Sequence, residues 1–279
     1  MKSTGLYVAF AAFLATAPLP AFAVELTACG QSVPERERGI LTTDLDCSSS
    51  TSVYPVWLSR KATLDMAGHT IIGSPSIGTV RCDGPCTIEG DGMIVGGQYC
   101  VHATTETAGA RSKLRIFGLT VSGCEVGVLA QNTLPGTNLV ARELVSTGNT
   151  GNGIEAQFMK LRNVVSTDNG RYGLRCGFGK IVGRNVTVTG NGLAVPDSYA
   201  GVHGADRINL RGATVSDNSG AGVRSWDRTA KLKDSTATGN STIDIYTAER
   251  PKIVNTACGT SAQRITGGPG PPWGVCEND

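Results

Sequence analysis

The sequence predicts an all-β protein, a parallel β-helix of about nine rungs with disulfide-stapled caps. The first observation behind this prediction is a four-residue signature in which an apolar residue, a variable residue and a usually small residue follow a turn-forming residue. Its nine copies begin at Pro55, Thr79, Cys100, Gly127, Gly153, Gly173, Gly201, Gly222 and Asp244. Successive copies lie roughly 20 to 28 residues apart, a period typical of solenoids.

The second observation is a basic residue that stands seven places before an asparagine in five successive rungs. The pairs are Arg142/Asn149, Arg162/Asn169, Arg184/Asn191, Arg211/Asn218 and Lys233/Asn240. Asparagine tolerates left-handed backbone, and its amide can bond to the copy one rung above. We therefore expect a structural asparagine ladder. The 37 glycines and the aromatic content of 5% also favour a turn-rich β protein over a helical one.

Residues 1–23 are expected to be a cleaved secretory signal peptide. Lys2 is followed by an apolar run over residues 6–17 and by Ala21, Phe22 and Ala23 at the cleavage point. The run is shorter than the roughly 20 residues of a membrane helix. We therefore expect a secreted or periplasmic protein without a membrane span, and a monomer.

Residues 24–54 lack the signature and are predicted to form an N-terminal cap over the first open rung. The β-helix is predicted over residues 55–257, where alternating runs complete each rung. Residues 258–279 are predicted to be a C-terminal cap or tail. Leucine-rich repeats share the period, but the leucine skeleton that they need is absent.

The nine cysteines all follow the predicted signal peptide, which fits disulfides in an oxidising compartment. Spacing alone does not determine their connectivity. The repeat places Cys100 and Cys124 one layer apart, and Cys82 and Cys86 can close a tight loop. The end pairs would be Cys29 with Cys47 and Cys258 with Cys276. Cys176 falls on an inward position of its signature and is interpreted as a buried, inert thiol.

Several motifs resemble the secreted right-handed parallel β-helix proteins of the pectate-lyase-like superfamily. They are LDMAGHTIIG at residues 64–73, the G-I-x-A strands and the N-G rung ends. The resemblance covers most of the chain and implies a carbohydrate-active protein. Right-handedness follows from the resemblance and from the general rule for parallel crossovers.

The sequence lacks the catalytic motifs of that superfamily. Polygalacturonases use paired aspartates and a Gly-His-Gly, whereas this chain has Gly201-Val202-His203-Gly204 and no adjacent aspartates. The Asp-Pro-His-Asp motif of mannuronan epimerases is also missing. Calcium-dependent lyases need a carboxylate cluster, but Asp206, Asp227 and Asp234 are scattered in the repeat. No cofactor is therefore expected, although a calcium ion stays open.

Alternation along each signature strand directs the variable residue outward. The nine variable residues should therefore form one column: Trp57, Arg81, His102, Leu129, Glu155, Arg175, His203, Arg224 and Tyr246. This strip of roughly 40 Å could match several units of a polysaccharide. Insertions at residues 104–110, 132–137 and 192–200 would form raised edges on both sides of this strip. The alternative is that they are merely tolerated surface loops. The predicted substrate-binding residues are Trp57, Arg81, His102, Glu155 and Tyr199.

The predicted catalytic group is His203, with Arg175 and Arg224 one rung to either side. Removing a proton next to a uronate carboxylate needs a cation to neutralise the carboxylate and a base within reach. Two flanking cations should keep the imidazole neutral. Tyr246 is the predicted acid, with Tyr199 as second choice. The alternative is that Glu155 pairs with Arg175 and leaves only a solvated ladder.

The function predicted from these features is action on an acidic polysaccharide, as a lyase or C5-epimerase. The alternative is a non-catalytic polysaccharide-binding or envelope-associated protein that uses the same face. The basic residues of the five pairs form a second column, which is either a solvated edge, with interleaved acids such as Glu143 and Asp234, or a docking site for an acidic glycan or cell-envelope polymer. With a net charge of only +2, nucleic acid is not an expected partner.

Overall fold

The computed structural model describes residues 23–50, 54–104, 112–130, 137–195, 198–266 and 268–279. The predicted signal peptide lies outside these residues except for Ala23, and so do most of the first two predicted insertions. Within the described ranges, no helix is long and apolar enough to cross a membrane.

The described residues form strands joined by turns. In chain order the strands are β1 (Val24–Leu26), β2 (Gln31–Val33), β3 (Arg38–Leu41), β4 (Leu45–Asp46), β5 (Val56–Leu58), β6 (Thr63–Asp65), β7 (Thr70–Ile72), β8 (Val80–Asp83), β9 (Cys86–Glu89), β10 (Gly92–Val95), β11 (Tyr99–Thr104), β12 (Ser112–Phe117), β13 (Leu119–Ser122), β14 (Val126–Ala130), β15 (Thr137–Arg142), β16 (Val145–Thr147), β17 (Ile154–Ala156), β18 (Phe158–Thr167), β19 (Leu174–Cys176), β20 (Ile181–Thr189), β21 (Ala200–Gly204), β22 (Ile208–Arg211), β23 (Thr214–Ser216), β24 (Ala221–Ser225), β25 (Ala230–Lys233), β26 (Thr236–Thr238), β27 (Ile245–Thr247), β28 (Lys252–Val254), β29 (Ala257–Cys258), β30 (Ser261–Ile265) and β31 (Gly268–Pro269).

The strands stack as three parallel columns, which is the architecture of a parallel β-helix. The signature strands form one sheet in the order β2-β5-β8-β11-β14-β17-β19-β21-β24-β27-β30, with β31 at its end. We call it the signature sheet. The other strands form a second sheet that covers two sides, because β18 and β20 run through both sides and bend at Asn163 and Asn185, where φ is 51° and 53°. The predicted fold class is confirmed.

The core runs along the axis of the solenoid, because each strand buries alternate side chains. In β12, for example, Leu114 and Ile116 are fully buried while Arg115 between them is exposed. Burial of such a side chain stabilises the fold by about 1.5–3 kcal/mol. The same alternation directs the residues between the core positions onto the three outer faces.

The asparagine ladder is present, and its members are buried except for Asn240, which is partly exposed. Each Nδ2 donates to the Oδ1 of the next asparagine, at 2.8 Å from Asn149 to Asn169, 2.8 Å from Asn169 to Asn191, 2.9 Å from Asn191 to Asn218 and 2.8 Å from Asn218 to Asn240. At one end Asn240 donates to Asp244 Oδ1 at 2.8 Å. At the other end the backbone N–H of Cys124 donates to Asn149 Oδ1 at 3.1 Å. Cys124 thus occupies the ladder position of its rung, as the repeat predicts.

The solenoid continues through both segments that were predicted as caps. In the first segment β2 pairs with β5, with Ser32 opposite Trp57 and Val33 opposite Leu58. Residues 24–54 therefore include a rung of their own, whose signature strand has Gln31 where the other copies have an apolar residue. At the far end β30 pairs parallel with β27, and β31 then folds back antiparallel on β30. This reversal ends the run of parallel pairing at that edge.

Four disulfides are present, Cys29–Cys47, Cys82–Cys86, Cys100–Cys124 and Cys258–Cys276. The repeat predicts the Cys100–Cys124 pair, and the other three are the pairs that the sequence left as possible. Cys176 is free and buried, and its thiol donates to the carbonyl of Gln157 at 2.9 Å. Burial raises the pKa of this thiol to about 11. The thiol is therefore protonated at neutral pH and a poor nucleophile, as its inward position predicts.

Candidate functional site on the signature sheet

The predicted column of variable residues is present. Register places Trp57 opposite Arg81, Arg81 opposite His102, His102 opposite Leu129, Leu129 opposite Glu155, Glu155 opposite Arg175, Arg175 opposite His203, His203 opposite Arg224, and Arg224 opposite Tyr246. The column therefore brings all four predicted catalytic residues and four of the five predicted substrate-binding residues onto one face. The fifth, Tyr199, lies in the loop before β21.

His203 is an enclosed titratable group of this column, with 9% of its surface exposed. Its ring centroid lies 4.8 Å from that of Tyr172 and 6.0 Å from that of Trp226. Tyr199 reaches the same place, since its ring meets Tyr172 edge-on at 5.0 Å. The third predicted insertion thus contributes to the surroundings of the imidazole.

The pKa of His203 is lowered to about 3. Burial is the largest cause, and the charges of Arg224, Arg175 and Arg264 act in the same direction. A charged imidazole loses hydration when buried and is repelled by neighbouring cations. At neutral pH this histidine is therefore uncharged and retains a lone pair on one ring nitrogen.

Arg175 is held by Glu155, across one rung, as the alternative interpretation of the column expects. Arg175 Nη1 lies 2.6 Å from Glu155 Oε1, and the other carboxylate oxygen accepts from Asn152 Nδ2. Only 6% of Glu155 is exposed. Glu155, predicted to bind substrate, is instead engaged on both oxygens, so its observed contacts orient Arg175.

Arg224 has a different environment, because its Nε is buried without a hydrogen-bond partner. Its guanidinium stacks on the ring of Trp226 at 4.9 Å and lies 5.7 Å from that of Tyr246. Arg264 covers Trp226 at 3.5 Å and is one of the cations that act on His203. Of the two arginines predicted to flank the histidine, Arg224 is the one with no carboxylate partner among the described residues.

Tyr246, the predicted acid, points its hydroxyl away from this role. Its Oη donates to the carbonyl of Gly268 at 3.0 Å, so the C-terminal segment engages the hydroxyl. The sequence offered no sign of this contact, because β30 and the strand after it carry no signature. The ring of Tyr246 still belongs to the column through Arg224.

Tyr172 is the functional candidate that the sequence analysis missed. It directly precedes a signature strand, as do Tyr54 and Tyr99, and this recurrence was a signal that could have found it. Burial raises the pKa of its phenol, the largest of several causes, although Arg224 and Arg175 act against it. Tyr172 therefore keeps its proton at neutral pH beside a neutral imidazole.

A second cluster surrounds His102 lower on the same face. His102 Nδ1 lies 3.0 Å from Tyr54 Oη, and its ring centroid lies 4.7 Å from that of Tyr99. Burial, and next the charge of Arg81, lower the pKa of His102. This cluster repeats the combination of histidine, tyrosine and arginine around His203.

Arg81 is the cation of this lower cluster. It stacks on Trp57 at 4.7 Å, and its Nε donates to the buried Asp83 Oδ1 at 2.8 Å. Trp57 is 41% exposed and presents an open aromatic surface. His102 and His203 are four rungs apart in register, or roughly 19 Å at the usual interstrand spacing.

No group of three or more His, Cys, Asp or Glu side chains could hold a metal ion in the described part of the chain.

Comparison with one solved structure supports the fold. Tailspike protein 2 of the Escherichia coli O157:H7 bacteriophage CAB120 is similar, with a TM-score of 0.54, 12% identity and 88% of this chain covered. This chain spans 35% of the tailspike's length. The A-module of the Azotobacter vinelandii mannuronan C-5 epimerase has a TM-score of 0.41 and 16% identity, over 87% of this chain and 81% of the module. No family model and no curated protein matches the sequence.

Proposed function

We propose that the signature sheet binds an acidic, uronate-containing polysaccharide and that His203 removes a proton from the carbon beside the uronate carboxylate. The main support is a pair of buried nitrogens without partners, His203 Nδ1 and Arg224 Nε, on opposed residues of two paired strands. Buried polar groups without partners cost free energy. A ligand carboxylate would accept a hydrogen bond from Arg224 Nε, while the lone-pair nitrogen of His203 would face the proton to be removed. The neutral imidazole offers a lone pair, and Arg224 offers fixed positive charge.

The reaction balances without an oxidant or reductant. The imidazole takes the proton from C5, and the electron pair left behind gives an enolate whose charge Arg224 stabilises. In a lyase, that pair forms the C4–C5 double bond, the C4–O bond breaks and the leaving oxygen receives a proton from an acid. In an epimerase, C5 is reprotonated from its opposite face and no other bond breaks.

Tyr172 is the acid that fits this scheme. Its ring stands 4.8 Å from that of His203, and its raised pKa keeps the phenol protonated. Tyr199, the second choice from the sequence, contacts Tyr172 edge-on and is placed to position its ring. Tyr246 is less suited because its hydroxyl is engaged with Gly268.

The lower cluster supports a polymeric ligand over a small one. Trp57 offers an exposed ring, and Arg81 holds a positive charge against it on the same face. At roughly 19 Å from His203, the His102 cluster would contact a different part of the same chain. Each cluster would then bind its own stretch of one extended polysaccharide.

The second candidate is a non-catalytic polysaccharide-binding or envelope-associated protein that uses the same face. Two observations favour it. Arg175 is already paired with Glu155, and a histidine with a pKa of about 3 is a weak base in the free protein. In this case the aromatic and cationic side chains would hold the chain without reaction.

Both candidates are compatible with export. The signal peptide remains a prediction, and four disulfides support an oxidising compartment.

The test is solvent exchange at C5. Purified protein is incubated in deuterated buffer with alginate, pectate or glycosaminoglycans. An epimerase would place deuterium at C5 together with inverted sugars, whereas a lyase would form unsaturated ends, whose C5 carries no hydrogen. His203→Ala should lower the exchange or the formation of unsaturated ends at least about 100-fold while leaving folding and polymer retention nearly intact.

The matched control is His69→Ala, since His69 lies outside the signature sheet and contacts Asp44. It should exchange like the unmodified protein. Full exchange by His203→Ala would remove the assignment of the base. Retention of a polymer on an affinity gel with neither exchange nor unsaturated ends would establish the binding function instead.

A further inference from the structure

The second sheet carries a row of cations on a face separate from the signature sheet. Register places Arg142 opposite Arg162, Arg162 opposite Arg184, Arg184 opposite Arg211, and Arg211 opposite Lys233. We call these five residues the basic row. They stack over roughly 19 Å along the solenoid axis, four steps of the interstrand spacing.

The basic row is poorly neutralised. Among the described residues, its one ion pair joins Arg211 to Asp234, at 3.3 Å and with both side chains well exposed. Like charges directly opposite each other on paired strands destabilise a sheet. The row therefore opposes folding and is not explained by internal pairing.

The lower part of the same sheet shows how the fold handles such a cation when pairing is needed. Arg38 in β3 lies 2.7 Å from Asp65 and 2.6 Å from Glu89, carboxylates from the next two rungs. No comparable pair of acids accompanies Arg142, Arg162 or Arg184 in the described structure. The change from paired to unpaired cations takes place between β9 and β15.

A groove runs beside the basic row. Arg115, Val140, Lys160, Val182 and Asn209 follow one another in register next to it. Together with the four arginines of the row these residues line a groove of about 670 Å³. Its lining combines the long cations with short, uncharged side chains such as Val140 and Val182.

We propose that this groove binds a linear anionic polysaccharide whose chain lies along the solenoid axis. The row is straight and its charges recur once per rung, which suits a polymer with charges repeated along its length. A planar lipid surface would meet the tips of the arginines but would not fill the groove between them. Since the whole chain carries 25 Lys and Arg against 23 Asp and Glu, this face stands out against a remainder that is close to neutral or acidic.

The proposal goes beyond the proposed function, on which it rests only for the class of polymer. The groove holds no histidine and no predicted acid, so we assign it a docking role rather than a catalytic one. It would hold a chain, or the protein on an anionic matrix, while the signature sheet acts elsewhere.

The test measures binding to immobilised alginate as a function of salt. The variant Arg142→Gln/Arg162→Gln/Arg184→Gln removes three charges and keeps hydrogen-bonding side chains. The charge-matched control is Arg36→Gln/Arg60→Gln/Lys61→Gln, at exposed turns near the N-terminus. We expect the first variant to weaken binding at least about tenfold and to flatten the dependence of log Kd on log salt by about two, and the control to bind like the unmodified protein.

Short uronate oligomers separate this proposal from the proposed function. The row variant should exchange C5 deuterium with them as the unmodified protein does, and His203→Ala should keep its salt-dependent binding to alginate. Unchanged alginate binding by the row variant would overturn the proposal, even if exchange at His203 is found. A row variant that loses binding to phosphatidylglycerol vesicles or single-stranded DNA, but not to alginate, would also overturn it.

Discussion

His203 illustrates how a single position on a rigid scaffold acquires unusual chemistry. It lies between two arginines because parallel register brings the same signature position of successive rungs together. It is buried because Tyr172 and Trp226 flank it. Desolvation and nearby cations both favour the neutral imidazole, so the two effects add.

The lowered pKa of His203 makes the stability of the protein depend on pH. In the unfolded chain the imidazole takes up its proton near its ordinary pKa of 6.5, but the folded protein resists protonation down to about 3. Between these values the unfolded state binds more protons, so the contribution is complete above pH 6.5 and is lost as the pH falls toward 3. The expected loss is up to about 1.4 kcal/mol for each pH unit in this window.

This prediction is checked by chemical denaturation at several pH values between 4.5 and 6.5. His203→Gln should show a shallower fall in the free energy of unfolding than the unmodified protein. His69→Gln, which changes a histidine at a partly exposed site, should keep the original slope. Equal slopes in all three proteins would contradict the burial of a neutral His203.

At this scale the sequence predicted which side chains are neighbours where strand register determines it. It did not predict contacts made by residues outside the repeat. The order Arg175, His203, Arg224 follows from counting rungs. The engagement of Tyr246 by Gly268 and the approach of Arg264 to Trp226 do not, because they depend on how the C-terminal segment folds back. Tyr172 could have been found from the tyrosines that precede three signature strands.

The asparagine ladder is the element that aligns the rungs of the upper half. Within the ladder, each asparagine side chain accepts a hydrogen bond from the rung on one side and donates a hydrogen bond to the rung on the other side. A buried hydrogen-bonding chain of this kind is stable only when every member is satisfied. Its removal at one rung therefore affects the two neighbouring rungs.

Asn191→Ala tests the ladder. Asn191 is fully buried, donates to Asn218 Oδ1 and accepts from Asn169 Nδ2. Its truncation removes both side-chain bonds, and the backbone N–H of Asn169 loses the Asn191 Oδ1 acceptor as well. We therefore expect a loss of about 3 kcal/mol in the free energy of unfolding. Urea denaturation measures this loss.

The control for this substitution is Asn209→Ala, at an exposed position of β22. It should change the free energy of unfolding by no more than about 0.5 kcal/mol. A comparable loss in both variants would show that the ladder has no special contribution.

Elements were predicted well where they repeat and poorly at the ends. The signature strands from Pro55 onward were visible because nine copies confirm one another. The strand β2 was not, since Gln31–Val33 offers only one alternating pair of residues to recognise. The three-column arrangement and the long strands β18 and β20, bent at Asn163 and Asn185, required the structure.

At the scale of the whole molecule, the covalent links are unevenly distributed. Three disulfides lie between Cys29 and Cys124 and the fourth joins Cys258 to Cys276, while the rungs from Asn149 to Asn240 contain only the free Cys176. The ladder begins where the disulfides end. In a solenoid each rung contacts only its neighbours, so stability is local.

Reduction should therefore loosen the two ends and spare the middle. A disulfide typically contributes about 2–4 kcal/mol, so we expect amide hydrogen exchange to accelerate roughly 30-fold or more around β8, β11 and β30 after treatment with a thiol reductant. The amides of β20 and β23 should keep their protection. Mass spectrometry of peptic fragments reads out both regions, and a uniform acceleration along the chain would contradict local stability.

The replacement of Cys124 by asparagine at the ladder position, from Asn149 onward, also makes the length of the molecule modular. Beyond that point each rung is joined to the next by the same hydrogen bond between asparagine side chains. A rung can therefore be duplicated or removed without redesigning the ends. Every added rung would lengthen the signature sheet and the groove beside the basic row by the same increment of about 4.8 Å. The number of rungs therefore sets, in discrete steps, the length of polymer that each of the two faces can bind.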